Sequence, residues 1–167
     1  DLAAAEKSFS AGAVKVIKGS KTRSASVYNG IKAVSENCDI VVIHDGVRPF
    51  AGRDLVKRCV TSAEKFGAAI AAVPAVSTIK SADENGFVLS TLERKKLWEI
   101  QTPQAFRREI ITEAFEKYGS RGDDITDDAM LVEKMGGKVK LVMGSRENIK
   151  ITTPEDLIIA EAILKSL

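Results

Sequence analysis

The chain has 167 residues, 44% of them hydrophobic and 29% charged, with 25 Lys plus Arg against 23 Asp plus Glu for a net charge of +2. That composition suits one globular domain able to bury roughly two thirds of its unfolded surface without disulfides or metal staples. The basic runs Arg94-Lys95-Lys96 and Arg107-Arg108 are short and surrounded by acids, Pro74 interrupts the longest apolar stretch well short of the ~18 residues of a membrane span, and Cys38, Cys59 and His44 are too few for a structural zinc site. The expectations are therefore no nucleic acid, no membrane and, from two separated cysteines in apolar contexts, a reducing cytoplasmic setting. Asp1-Leu2-Ala3-Ala4-Ala5-Glu6-Lys7 reads as neither start methionine, signal peptide nor targeting segment, so the chain is expected to begin in mid-domain.

Strand-length apolar runs at 14–17, 40–43 and 68–73 are too continuous for one-sided antiparallel strands and read as buried parallel strands. Between the first two, Ser24 is placed to cap a helix whose Val27, Ile31 and Val34 form one stripe; between the next two, Leu55, Val56, Cys59, Val60 and Ala63 repeat the pattern. The alternation predicts an α/β fold, an open, mostly parallel twisted sheet with helices on both faces and ligands at the carboxyl ends of its strands.

Past Pro74, Thr78-Ile79-Lys80-Ser81 and Phe87-Val88-Leu89-Ser90-Thr91 flank the turn Asp83-Glu84-Asn85-Gly86 and predict a hairpin. Its strands carry too few large apolar residues to bury themselves, so it is expected to project as an arm over 76–94 and find its cover on another subunit. The chain then returns to the sheet at 97–100, forms a helix over about 107–118, a polar loop over 119–124, a helix over 127–135, a strand over 139–143 and a last helix opened by Pro154. A single domain over 1–167 with one arm is the expected organisation.

Four segments carry more chemistry than packing requires. In the first, the apolar strand at 40–43 runs into His44-Asp45-Gly46-Val47-Arg48-Pro49-Phe50. Asp45 stands where a hard cation such as magnesium would need a carboxylate, Gly46 would let a ligand approach backbone closely, and Arg48 offers forked donors to phosphate oxygens. An Asp-Gly turn with a structural Asp45–Arg48 pair is the alternative, and His44 alone reads as a strand-end hydrogen bonder.

The second segment is the small-residue loop Gly19-Ser20-Lys21-Thr22-Arg23-Ser24-Ala25-Ser26 at a helix start, suited to an anion or the edge of a base, or simply to capping. In the third, Gln101-Thr102-Pro103-Gln104 is unusually polar directly after a predicted strand. The fourth pairs Thr126-Asp127-Asp128, with Thr126 a helix cap, with Asn148-Ile149-Lys150-Ile151. Lys150 there lies between two isoleucines on a short predicted strand, where an inward lysine is costly unless an anion meets it.

Gly19 to Val27, the segment at 44–50, Glu93-Arg94, Leu97-Trp98, Gln101-Thr102-Pro103-Gln104, Thr126-Asp127-Asp128-Ala129 and Asn148-Ile149-Lys150, in that order, closely resemble the 2-C-methyl-D-erythritol 4-phosphate cytidylyltransferase family from about Val14 to the C-terminus. The resemblance implies a Rossmann-like nucleotidyltransferase fold. It further implies transfer of a cytidylyl group from CTP to methylerythritol phosphate with release of pyrophosphate, in the non-mevalonate isoprenoid pathway, and with it a magnesium ion and a homodimer.

By the same resemblance, Ser20, Lys21, Ser26 and Gly46 bind the nucleotide, Asp45 lies by the phosphates and metal, and Arg48, Thr102, Thr126 and Lys150 surround the substrate phosphate. Thr78 and Arg94, on the arm, reach the partner's active site, with Arg94, Lys150 and Asp45 carrying the catalysis. The chemistry needs no protein nucleophile, only alignment and charge stabilisation.

Two departures from the family pattern stand out. The family's glycine-rich nucleotide loop would precede Asp1, so the chain as given is expected to be inactive or nearly so. Lys21 replaces an acid that some members carry, which bears on base recognition. A ribitol-5-phosphate cytidylyltransferase, sharing the Asp-x-x-Arg-Pro, Gln-Thr-Pro-Gln and Asn-Ile-Lys segments, and a nucleotide-binding module without catalysis are the competing expectations.

Overall fold

A computed structural model describes residues 14–119 and 125–167. The chain runs through α1 (Arg23–Ala33), β1 (Ile40–Ile43), α2 (Arg53–Phe66), β2 (Ala68–Pro74), β3 (Lys80–Ala82), β4 (Val88–Thr91), a 3-10 turn (Arg94–Lys96), β5 (Trp98–Arg107), α3 (Arg108–Tyr118), α4 (Ala129–Lys134), β6 (Lys140–Met143) and α5 (Pro154–Ser166). Most of the expected polar loop at 119–124 and the segment 1–7 lie outside the described residues.

Strands β1, β5, β2 and β6 form one sheet in that order, and β3 and β4 form a separate hairpin. Strands β1 and β2 each pair antiparallel with β5, while β6 pairs parallel with β2. The α/β fold is as expected, and β1, β2 and β6 share one direction. The difference is that β1 and β2 are not neighbours: β5, ten residues long, is wedged between them and runs the other way. The polar run 101–104 hides this strand from a hydropathy pattern.

Residues 14–17, expected as a strand, form no ladder in the structure. A strand exists where its amides find partners, and β1, at the sheet edge, is hydrogen-bonded to β5 alone among the described strands. Of its four residues Val41 alone is buried, Ile40 and Ile43 are part-buried and Val42 is exposed.

Helices cover both faces, as the period of two in β2 requires. Ala68 and Ile70 face a cluster with Val41, Phe106, Ile111, Phe115, Leu131 and Val132 under α1, α3 and α4. Ala69 and Ala71 face Leu55, Cys59, Ala63, Ala105 and Val142 under α2. Alanines dominate β2 because helices close on it from both sides, and the larger volume is supplied by Phe106 and Phe115, each under 3% exposed. Tyr28 stacks on Phe115 with ring centroids 5.4 Å apart, tying α1 to α3.

Capping departs from expectation in two places. Helix α1 is capped by Thr22, whose Oγ1 accepts from Ala25 N at 3.1 Å, rather than by Ser24. Helix α4 starts at Ala129, and Asp127 Oδ1 accepts from Met130 N at 3.0 Å, the duty expected of Thr126. Pro154 opens α5 as expected, with Asp156 Oδ2 accepting from the N–H groups of Thr152 and Thr153.

The hairpin turns at Gly86, whose φ of +83° only glycine adopts cheaply, while Asp83 Oδ1 accepts from the N–H groups of Asn85 and Phe87. Every residue of β4 is exposed, as are Phe87 and Val76. At its root the register pairs Trp98 with Pro74.

Candidate active site

Strand β1 ends where Asp45 begins a turn, closed by the Arg48 N–H donating to the Asp45 carbonyl at 3.0 Å. The turn is held from β5, since Asp45 N donates to Thr102 Oγ1 at 3.0 Å, and from the loop after β6, since Ile151 N donates to the Val47 carbonyl at 2.9 Å. Asp45, Arg48, Thr102 and Lys150 thereby line one cavity of about 510 Å3 together with Arg23, Gln101, Gln104, Thr126 and Asp127.

Asp45 is the hub of the charges. Its carboxylate, 15% exposed, lies 3.0 Å from Lys150 Nζ, 3.6 Å from Arg23 Nη2 and 3.7 Å from Arg48 Nε. Burial pushes this carboxyl up, but the hydrogen bond and charge of Lys150, joined by the charges of Arg23 and Arg48, outweigh it and hold Asp45 below the usual carboxylate range. Lys150, expected on a strand, sits on irregular backbone and is 41% exposed; the anion its position called for is Asp45.

Arg48 Nη1 donates to the Asn148 carbonyl at 2.7 Å, while Nε, buried without a hydrogen-bond partner among the described residues, faces Asp45 Oδ2 at 3.7 Å as an ion pair. Asn148, itself fully buried, donates from Nδ2 to the Thr102 carbonyl at 2.8 Å and to Gln101 Oε1 at 3.3 Å, and Gln101 Nε2 donates to the Ser145 carbonyl at 2.8 Å. Within the Gln101 to Gln104 segment, the Gln101 side chain and the Thr102 carbonyl fasten the loop bearing Lys150 to β5, the Thr102 hydroxyl holds the Asp45 turn, and Gln104 Nε2 donates to Asp127 Oδ2 at 3.2 Å. Gly144 leaves room for it, because a Cβ there would collide with Gln101 Oε1.

Arg23 was not singled out from the sequence. It forms a two-pronged pair with the fully buried Asp128, at 3.1 and 2.9 Å, and so joins the start of α1 to the start of α4 across the cavity. Burial pushes the Asp128 carboxyl up against the pull of Arg23, with Asp127 and Asp45 adding to the rise. The signal available was an arginine just inside a helix start with a double acid far along the chain, which in sequence reads as ordinary capping.

Other expected residues are placed differently. Ser26 Oγ accepts from Ser20 N at 2.8 Å and donates to the Thr22 carbonyl at 2.9 Å, so both residues close their own loop; Ser20, Lys21 and Ser26 do not line the large cavity. A Cβ at Gly46 would meet nothing within 4 Å among the described residues. Thr126 lines the cavity, with its hydroxyl 3.9 Å from Met130 Sδ. Thr78 and Arg94 lie at the arm, outside the cavity of their own chain, where Arg94 Nη1 donates to the Val76 carbonyl at 2.8 Å.

The cavity at the carboxyl end of β1 sets three cations, Arg23, Arg48 and Lys150, among three carboxylates, Asp45, Asp127 and Glu133, and comparison with known proteins gives the chain a family. The pattern of IspD, 2-C-methyl-D-erythritol 4-phosphate cytidylyltransferase, matches residues 1–166. The chain belongs to the IspD family.

Proteins of that name from Caldanaerobacter subterraneus subsp. tengcongensis and Syntrophus aciditrophicus are 50% and 52% identical to it, each over 90% of the chain. The chain spans 66% and 64% of their respective lengths. Among solved structures, 4-diphosphocytidyl-2C-methyl-D-erythritol synthase from Anaerococcus prevotii superposes with a TM-score of 0.85 at 40% identity, covering 90% of this chain and 70% of its own. The Thermus thermophilus cytidylyltransferase gives 0.80 at 33% identity, covering 93% and 79%. The IspD-type nucleotidyltransferase fold is thus the fold of this chain.

Proposed function

We propose that this chain is the greater part of a cytidylyltransferase that transfers CMP from CTP to 2-C-methyl-D-erythritol 4-phosphate, releasing pyrophosphate, in non-mevalonate isoprenoid synthesis. The observation that carries the proposal is the convergence of Asp45, Arg48, Thr102, Thr126 and Lys150 on one cavity in a chain of this family. An oxygen of the sugar phosphate attacks the α-phosphorus of CTP and pyrophosphate departs, so the protein supplies alignment and positive charge rather than a nucleophile.

Arg48 and Lys150 offset the repulsion between the two phosphates, and Thr102 and Thr126 flank the sugar phosphate. Asp45, a hard oxygen donor at the cavity, suits magnesium, which takes one or two carboxylates plus substrate phosphates and would supply charge neutralisation there. The loop of Ser20, Lys21 and Ser26, with Gly46, is assigned to the nucleotide, the open space at Gly46 allowing close approach. The arm over 76–94 is assigned to a homodimer in which Thr78 and Arg94 reach the partner's site, and its exposed Phe87, Val88 and Leu89 support that assignment. No helix among the described residues is long and apolar enough to cross a membrane. The enzyme is assigned to the cytoplasm, in keeping with the free thiols of Cys38 and Cys59.

The test is pyrophosphate release by a chain extended to the relatives' full length, with CTP, magnesium and either methylerythritol phosphate or ribitol 5-phosphate. Release with the first is expected. Release with ribitol 5-phosphate alone reassigns the substrate, and CTP binding without release by either leaves a nucleotide-binding module.

A further inference from the structure

His44 is the only histidine in the chain and lies on the exposed side of the Asp45 turn, yet both of its ring nitrogens are engaged. Nε2 is 3.0 Å from the Arg48 carbonyl, and Nδ1 is 2.8 Å from Thr102 Oγ1. A carbonyl only accepts, so Nε2 carries the hydrogen; in the neutral ring Nδ1 is then bare and must accept. Its donor is the Thr102 hydroxyl, whose oxygen in turn accepts from the Asp45 N–H at 3.0 Å. Each hydrogen in the chain from Asp45 N through Thr102 and His44 to Arg48 thus has a single consistent direction.

We infer that His44 is a positioning residue, an imidazole held as the Nε2–H tautomer that locks the Thr102 hydroxyl rotor and braces both ends of the Asp45–Arg48 turn. Thr102 is thereby kept as an acceptor for the Asp45 peptide, and the Asp45 carboxylate and Arg48 guanidinium are held beside the cavity rather than turning with a free loop. The benefit belongs to the sugar-phosphate subsite, so this inference rests on the proposed reaction for its kinetic consequence but not for its geometry.

Because there is one histidine, a chain labelled with 15N-histidine gives one imidazole signal. In the substrate-free protein well above the ordinary histidine range, two-bond nitrogen–proton correlation is expected to show a single Nε2–H tautomer. Thr102→Val, which keeps the shape and removes the donor, should relax the ring toward the aqueous mixture of tautomers. A mixed or Nδ1–H ring in the unaltered chain, or identical spectra in the two proteins, overturns the inference.

In the extended chain, His44→Ala should raise KM for the sugar phosphate about tenfold, the loss of roughly one hydrogen bond, with kcat little changed. His44→Asn, whose Oδ1 stands near the position of Nδ1, should recover most of that loss. An unchanged KM in His44→Ala, or equal defects in Ala and Asn variants, counts against the role. Absence of turnover by the unaltered extended chain would sink the proposed reaction alone, since the tautomer is read without substrate.

Discussion

Asp45 gathers three cations, and its titration follows from them. Its folded-state pKa is depressed below the unfolded value of ~3.9, so its charge contributes stability fully above that value and loses it as pH falls through the folded pKa. Replacing it with Asn should lower stability at neutral pH, by leaving Lys150, Arg23 and Arg48 without their shared anion, and flatten the acid limb below about pH 4. Denaturant midpoints taken stepwise from neutral to acid pH check this; parallel acid limbs for the two proteins would refute it.

The cysteines also part company at the residue scale. Burial pushes the Cys59 thiol up to about 11, while Cys38 is only part-buried, with its Sγ 3.0 Å from the Ile40 carbonyl. Of the two cysteines in apolar contexts, only Cys59 is fully buried. A thiol reagent should titrate Cys38 alone in the native protein and both after denaturation.

Legibility at this scale followed local cost. Lys150 does meet an anion, Asp45, although it sits half-exposed on irregular backbone rather than inward on a strand, and Asp45 was legible as an acid at a strand end. Arg23 was not, because its partner Asp128 lies far along the chain and nothing local distinguishes a clasp from a cap.

Helix starts show how an element is fixed by one hydroxyl among several. Thr22 Oγ1 accepts from Ala25 N, whereas Ser24 Oγ is buried without a partner among the described residues. Thr22→Ala should cost about 1 kcal/mol and Ser24→Ala should be neutral or slightly stabilising. Thermal melts of the two variants separate them; a larger loss for Ser24 would restore the capping expected from sequence.

Gly144 makes a sharper case, because a methyl there must displace Gln101 and with it the anchoring of Asn148. Gly144→Ala is expected to destabilise by about 1–3 kcal/mol and to loosen Lys150 from Asp45. Faster amide hydrogen exchange around 145–151 would report the second effect. The helices and the apolar strands at 40–43, 68–73 and 139–143 were readable from period, whereas the run 14–17 formed no ladder and the capping residues of α1 and α4 were not the expected ones; of β5 only the start, near 97–100, was readable, because its middle is the polar run Gln101 to Gln104.

At the scale of the molecule, the alternation of strand and helix was enough for the layer order, since apolar faces on both sides of β2 leave few other packings. Pairing was less accessible, because the direction of β5 depends on where the arm returns the chain. That arm buries little of itself, and on the proposed assignment a second copy covers it. Replacing Val88 and Leu89 with serine should shift the sedimentation equilibrium toward monomer while leaving the melting of the four-stranded sheet nearly unchanged. Unchanged mass would place the dimer contact elsewhere.

The pairing of Trp98 with Pro74 at the root of the arm has an optical consequence. The chain contains a single tryptophan, so its entire indole emission originates at the junction where hairpin meets sheet. Any rearrangement of the arm against the body would therefore be written in the colour and lifetime of that emission, without a label and without disturbing the cavity.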